Sequence, residues 1–277
     1  MSRFTLSCTT CTLRAPGKDE LLETLEHAPA AGFEYWGVAG PPFRTPGGPR
    51  WIDADRINCM AADAGLLGMT EVYASAIPTE SPRAAIAYVE YSLIHSCDLA
   101  VRLNCPLVVF SGGQRDEEGT AGLEASVAGL NALLSMIENM EIKVALEPHF
   151  HSRYQDAEDF DFIFERIDHP QLGITVDTGH LHAAGVDTQT FIRKYAGKVW
   201  NLHLKDHIGA QSVAIGEGEI DLRGIFALLH EVGYEGALAL EIEPEDPDNL
   251  PRYVAEAYTY VKNLVTDAIG KSVELNE

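Results

Sequence analysis

Eight short apolar runs recur along the chain, near residues 3–9, 33–39, 68–74, 106–111, 142–147, 172–177, 199–205 and 237–243, each the length of a buried strand. Stretches with helical periodicity follow them, at 18–30, 53–65, 82–103, 117–140, 156–167, 188–196, 221–232 and 248–268, most opened by a capping residue or an acidic first turn. The alternation is unbroken, and strand starts recur about every 27 to 38 residues, the period of a βα unit. This pattern predicts an α/β protein, a (β/α)8 TIM barrel, and 277 residues is the length such a barrel needs. No Ser/Gly-rich linker, low-complexity tract or charge block divides the chain, so residues 1–277 are expected to form a single domain. The Pro- and Gly-rich segment 40–50, after the second strand, is the least regular and is a candidate lid.

Parity within the later strands sharpens the expectation, because a barrel strand sends alternate side chains to the helices and to the interior. In the fifth run Ile142, Val144 and Leu146 take the helix face, leaving Lys143, Ala145 and Glu147 inside. The sixth sends Ile174 and Val176 out and Thr175 and Asp177 in. In the seventh, Trp200, Leu202 and Leu204 fall on one face and Asn201, His203 and Lys205 on the other, which is expected to point inward. The eighth turns Leu238, Leu240 and Ile242 out and Ala237, Ala239, Glu241 and Glu243 in. Four consecutive strands thus bring Glu147, Asp177, His203 and Glu241 to one interior, near the strands' C-terminal ends, where barrel enzymes build active sites.

Three carboxylates in one barrel mouth repel one another unless a cation neutralises them, so the convergence predicts a metal. Oxygen-rich ligation with one imidazole and no thiolate favours Mn²⁺ first, with Mg²⁺ or Co²⁺ as alternatives and zinc behind them.

Composition narrows the partners. Hydrophobic residues make up 46% and charged residues 22%, and no apolar run is long enough to cross a bilayer, so a soluble protein without membrane association is expected. A formal charge of −22 repels phosphate backbones and argues against nucleic acid. The first residues lack the apolar stretch of a secretory signal, which points to the cytoplasm. Five scattered cysteines suit reduced thiols, and the Cys8–Cys11 pair, with no second pair or flanking histidine, reads as structural.

The motifs Leu146-Glu147-Pro148-His149, Val176-Asp177-Thr178-Gly179-His180, Asn201-Leu202-His203-Leu204-Lys205-Asp206, Gly216-Glu217-Gly218-Glu219-Ile220-Asp221 and Leu240-Glu241-Ile242-Glu243 stand in an informative order. In that order and spacing the chain resembles the xylose isomerase-like sugar phosphate isomerase/epimerase superfamily, which includes ketose 3-epimerases, hydroxypyruvate isomerase and inosose dehydratase. The resemblance implies that Glu147, Asp177, His203 and Glu241 are metal ligands and that Glu147 and Glu241 are the catalytic acid/base pair. It further implies that His180 contacts a substrate oxygen, that the substrate is a small carbohydrate, and that the chain forms a homo-oligomer, dimer or tetramer. His149 is a further substrate-binding candidate; His149 and His151 either contact substrate or act as an extra acid/base, or form an exposed loop pair. Lys205 either binds a substrate oxygen or anion, or pairs with Asp206 or a neighbouring carboxylate. Trp36, Phe43 and Trp51 either wall a substrate or pack.

The activity expected first is isomerisation or epimerisation of a ketose or keto-sugar through α-proton abstraction and an enediolate. The alternative is a carbon–oxygen lyase of inosose or keto-glycoside type using the same metal site. Departures from the ketose 3-epimerases bear on that choice: no Arg follows the seventh strand before Arg223, and His149, His151 and Arg153 follow Glu147 where those enzymes carry a second Glu. An endonuclease-IV-like site would need histidines at the ends of the second and third strands, which read Val38-Ala39-Gly40 and Tyr73-Ala74-Ser75. A binding subunit without turnover is the non-enzyme reading, and the intact four-residue set argues against it.

Overall fold

The computed structural model describes residues 4–39, 53–115, 119–243 and 246–274. Eight parallel strands close a barrel in the order β1 (Thr5–Thr9), β10 (Ala237–Leu240), β7 (Val199–Leu204), β6 (Leu172–Asp177), β5 (Lys143–Glu147), β4 (Leu107–Ser111), β3 (Gly68–Tyr73) and β2 (Tyr35–Ala39). Two short strands, β8 (Asp206–Ile208) and β9 (Gln211–Val213), form an antiparallel ribbon beyond β7. The candidate lid at 40–50, with Phe43, and Trp51 beyond it, lies outside the described residues.

Helices α1 (Glu20–Ala31), α2 (Ala54–Asp63), α8 (Thr188–Tyr195) and α9 (Leu222–Glu231) each start on an aspartate, Asp19, Asp53, Asp187 or Asp221, whose carboxylate accepts first-turn N–H groups. Asp156 opens α6 (Ala157–Phe164) through a reciprocal capping box with Asp159. The stretch expected as one helix at 82–103 divides into α3 (Pro82–Tyr88), a π-helical turn at Val89–Leu93 and α4 (Ile94–Arg102). The remaining long helices are α5 (Ala121–Ile137) and α10 (Leu250–Glu274). Among the described residues no helix is long and apolar enough to cross a membrane.

The outward residues of the strands, such as Val108, Phe110, Val144, Leu146, Ile174 and Leu202, pack against helix residues such as Leu130, Leu133, Phe160 and Phe226 in one continuous apolar layer. Each such fully buried side chain contributes roughly 1.5–3 kcal/mol over its exposed state. Trp36 belongs to this layer at 2% exposure, so it packs and does not wall a substrate. The barrel interior has a different chemistry. A small apolar cluster of Leu107, Val109 and Ala145, with Tyr73 and Trp200 against it, stands apart from the outer layer.

Trp200 departs from its expected helix-facing position. Ile174 pairs with Val199 but Thr175 pairs with Asn201, so Trp200 is the extra residue of a β-bulge and breaks the alternation. It turns inward, where the Lys143 ammonium lies 4.6 Å from its ring centre. Gly173 makes room for it, since a Cβ there would lie 2.4 Å from Trp200 Cδ2. Gly173→Ala is therefore expected to destabilise the barrel by about 1–3 kcal/mol through overpacking. Urea unfolding measures this, and an unchanged midpoint would show that Trp200 is free to move aside.

Candidate metal centre

The end of a different strand delivers each member of the four-residue set. Glu147 closes β5, Asp177 closes β6, His203 lies one residue from the end of β7, and Glu241 follows β10. The ladder runs one step past β10, because the Glu241 N–H donates to the Leu204 carbonyl at 3.1 Å and fixes that carboxylate at the rim. One ligand atom from each of the four lies within 4.8 Å of the others, with Glu147, Asp177 and His203 buried and Glu241 half-buried.

His203 organises the cluster. Its Nδ1 lies 2.6 Å from Glu147 Oε1, 2.7 Å from Glu241 Oε2 and 3.8 Å from Asp177 Oδ2. Nε2 lies 2.8 Å from Glu71 Oε2. Burial disfavours charge on this ring, but Glu71, Glu241 and Glu147 outweigh it and raise its pKa well above the usual histidine range. Lys205 is also buried, 3.3 Å from Asp177 Oδ2, 3.8 Å from Glu241 Oε1 and 3.7 Å from Glu243 Oε2, and those carboxylates outweigh its burial and keep it charged. Lys205 thus pairs with neighbouring carboxylates, while Asp206 accepts backbone N–H groups of Gly216 at 2.8 Å and Gly218 at 3.0 Å and folds the loop beyond β7.

The two glutamates sit in unlike environments. Burial raises the pKa of Glu147, with His203 opposing it; at Glu241 burial is outweighed by Lys205 and His203, and its pKa falls well below the usual carboxylate range. Each has its outer oxygen held. The Tyr73 hydroxyl donates to Glu147 Oε2 at 2.5 Å, and the Cys11 thiol donates to Glu241 Oε1 at 3.1 Å. Burial pushes the Cys11 thiol pKa well up, with Glu241 adding to the effect, so it stays a protonated donor. Cys11 therefore touches the site, beyond the purely structural part expected of it; all five cysteines are unpaired.

The other sequence-predicted residues form a line leading out of this cluster. The Lys205 ammonium lies 3.3 Å from His180 Nε2, and as a donor-only group it assigns that nitrogen as the acceptor. Burial lowers the His180 pKa to about 3, leaving the ring neutral at physiological pH. Its ring centre lies 3.6 Å from that of His149. His149 Nδ1 lies 3.0 Å from the Phe150 carbonyl, which only accepts, so Nδ1 carries a proton and donates there. His151 separates from this line: it is exposed, stacks on Phe150 and adopts φ 67°. A six-residue helix, α7 (Thr178–Ala183), carries His180, and Asp177 caps it by accepting the His180 N–H at 2.7 Å.

The donor set fits a divalent cation. Asp177 Oδ2 and Glu241 Oε2 are buried and have ion-pair contacts, with Lys205 at 3.3 Å and His203 Nδ1 at 2.7 Å respectively, but no directed hydrogen bond among the described residues, which leaves room for a further cationic partner. Sequence reasoning missed Glu71, Tyr73 and Cys11. Glu71 had a legible signal, a carboxylate in the middle of a predicted barrel strand; Tyr73 and Cys11 carry no spacing that distinguishes them from packing residues.

The model of the xylose isomerase-like TIM barrel matches residues 25–264, and the chain belongs to that family. Inosose dehydratase of Clostridium tetani is 31% identical over 156 residues, 48% of this chain and 52% of that protein. That of Geobacillus thermodenitrificans is 26% identical over 157 residues, 49% and 52% of the two chains. The chain spans about half the length of these curated relatives. Among solved structures, an L-ribulose 3-epimerase superposes with a TM-score of 0.81 at 19% identity, covering 99% of this chain and 98% of the other. A probable 3-DHS dehydratase from Bacillus anthracis gives 0.75 at 15% identity, covering 94% and 99%. At these identities the structural likeness speaks for the fold.

If the four residues hold a cation, Mn²⁺ at a hundredfold excess over its Kd stabilises the folded chain by about 2.7 kcal/mol. Asp177→Asn keeps a capping oxygen for α7 but loses the ligand charge, so it is expected to fold and to lose most of that gain. Thermal melts with and without Mn²⁺ report it, and a variant stabilised as much as the parent chain would remove Asp177 from the ligand set.

Proposed function

We propose that the chain removes a proton α to the carbonyl of a keto-sugar or cyclic keto-polyol, in a metal-dependent reaction, and completes the turnover by eliminating the β-hydroxyl as water. The observation that carries the first step is the pair Glu147 and Glu241, both within 2.7 Å of His203 Nδ1 yet held in opposite ionisation tendencies. A bound divalent ion, Mn²⁺ by preference, supplies polarisation of the ketone and its neighbouring hydroxyl, which acidifies the α C–H. Glu241, held ionised, takes the α-proton, and the C–H electron pair passes into the enediolate.

Two fates then compete. Reprotonation by Glu147 from the opposite face gives an epimer and needs no further group. Elimination breaks the β C–O bond with the same electron pair and requires a proton for the departing hydroxyl. His149, its Nδ1–H directed to the Phe150 carbonyl, can supply that proton from Nε2 only as the imidazolium, taking its second proton from solvent beforehand and ending the step neutral while Glu241 keeps the α-proton; its ring stacks on His180 beside the cluster. That surplus group supports elimination. So does the likeness to the inosose dehydratases, aligned over about half their length. Epimerisation, the activity expected first from sequence, becomes the alternative, favoured by the opposed carboxylates alone.

Deuterium incorporation from D2O into ketoses, ketose phosphates, inososes and 3-keto-glycosides, with Mn²⁺-loaded protein, tests the shared step. Glu147→Gln and Glu241→Gln are each expected to lower turnover by about 10²–10⁴-fold. His149→Gln is expected to retain exchange while losing dehydrated product. An isomeric product formed at an unchanged rate by the His149 variant would establish the epimerase reading, and bound Mn²⁺ with no exchange across the panel would overturn α-proton chemistry.

A further inference from the structure

Glu71 is a buried carboxylate, 1% exposed, on the third strand, outside the four-residue set. Among the described residues it pairs with no lysine or arginine; its Oε2 meets His203 Nε2 at 2.8 Å and accepts from Asn201 Nδ2 as well. Three separate features put it there. Trp36 pairs with Met69 and Gly37 with Glu71, so Thr70 is the extra residue of a bulge that shifts the strand's alternation. Gly37, on the neighbouring strand, leaves the volume the carboxylate needs, since a Cβ there would lie 2.7 Å from Glu71 Cγ. Asn201, two residues before His203, is fully buried and turned to the same oxygen.

We infer that Glu71 is a positioning residue for the metal centre, keeping the His203 proton on Nε2 so that, when a cation displaces the Nδ1 proton, the Nδ1 lone pair faces Glu147, Asp177 and Glu241. The inference rests on the metal-site reading. An imidazole binds a cation through a deprotonated nitrogen, and its proton must then sit on the other. Nε2 of a ring with no solvent exposure would leave that N–H unsatisfied, at about 1–3 kcal/mol, without an acceptor. A carboxylate acceptor also fixes the ring plane and makes the ligating nitrogen more basic.

Titration calorimetry of the metal-stripped 277-residue chain with Mn²⁺ tests the assignment. Glu71→Gln is expected to weaken Mn²⁺ binding by about 10–100-fold. Gly37→Ala, which leaves every polar group in place but drives its Cβ into Glu71, is expected to weaken it in the same direction. Either variant, folded by circular dichroism and binding Mn²⁺ as the parent does, overturns the inference. A readout on the unmutated chain covers the case where both variants misfold: with ¹⁵N-histidine and Zn²⁺ as a diamagnetic probe, His203 is expected to show a protonated Nε2 and an unprotonated Nδ1, and the opposite tautomer overturns the role. Parent chain that binds neither ion overturns both this inference and the metal-site reading; parent binding with unaffected variants overturns this inference alone.

Discussion

The repulsion among buried carboxylates sets the terms for the rest of this molecule. Glu71, Glu147 and Asp177 are essentially inaccessible and Glu241 only half-buried, all within reach of one imidazole. Two unit charges 4 Å apart cost about 4 kcal/mol at an effective dielectric of 20, so such a group is unstable without compensation. Lys205 and a protonated His203 supply part of it, and the carboxylates still outnumber these cations by two. Asp177 Oδ2 and Glu241 Oε2, buried and in ion-pair contact with Lys205 and His203 but without a directed hydrogen bond among the described residues, mark where the remainder is concentrated. A divalent cation there, taking the place of the His203 Nδ1 proton, lowers the net negative charge of the group by one further unit, which is why the metal reading follows from charge before any likeness to other proteins is considered.

A closed parallel barrel is suited to holding like charges together because its strands cannot splay. The opposite end of the interior is filled by Leu107, Val109, Ala145 and the inward-turned Trp200, and the outer face is sealed by the continuous apolar layer under the helices. Each side chain of the cluster is carried by a strand held in register with two neighbours, so repulsion cannot be relieved by drift of the backbone. The outer oxygens of Glu147 and Glu241 are held by Tyr73 and Cys11, which leaves the inner oxygens facing His203 Nδ1. The result is one chamber with two glutamates of opposite ionisation tendency.

The element order of the barrel was legible in the period-2 runs, and the inward placement of Glu147, Asp177, His203 and Glu241 followed from strand parity alone. Parity worked for these residues because each stands at or beside a C-terminal strand end, downstream of any irregularity in its own strand. It failed at Trp200, which an inserted residue turns inward. The ribbon Asp206–Val213 and the helix α7 escaped because neither has a pattern of its own; Asp206 and Asp177 fold them through backbone hydrogen bonds that no spacing announces. His149 and His151 looked alike in sequence, two apart after the same strand. Backbone at φ 67° sends His151 to solvent, whereas the Phe150 carbonyl ties His149 to the mouth.

Both irregularities in the barrel ladder fall where the interior has a special requirement. The extra residue at Thr70 lets a carboxylate reach His203 from the side opposite the cluster, and the extra residue at Trp200 fills the far end of the barrel. A regular strand offers inward positions only at every second residue, at heights fixed by the shear of the barrel. An inserted residue resets that height, and in both places a neighbouring glycine, Gly37 or Gly173, gives up its side-chain volume to the residue so placed. A bulge and a facing glycine are each destabilising in a strand on their own terms. Their coincidence at Glu71 identifies that carboxylate as something the fold has been shaped to accommodate, because a buried glutamate merely tolerated in the core would need neither.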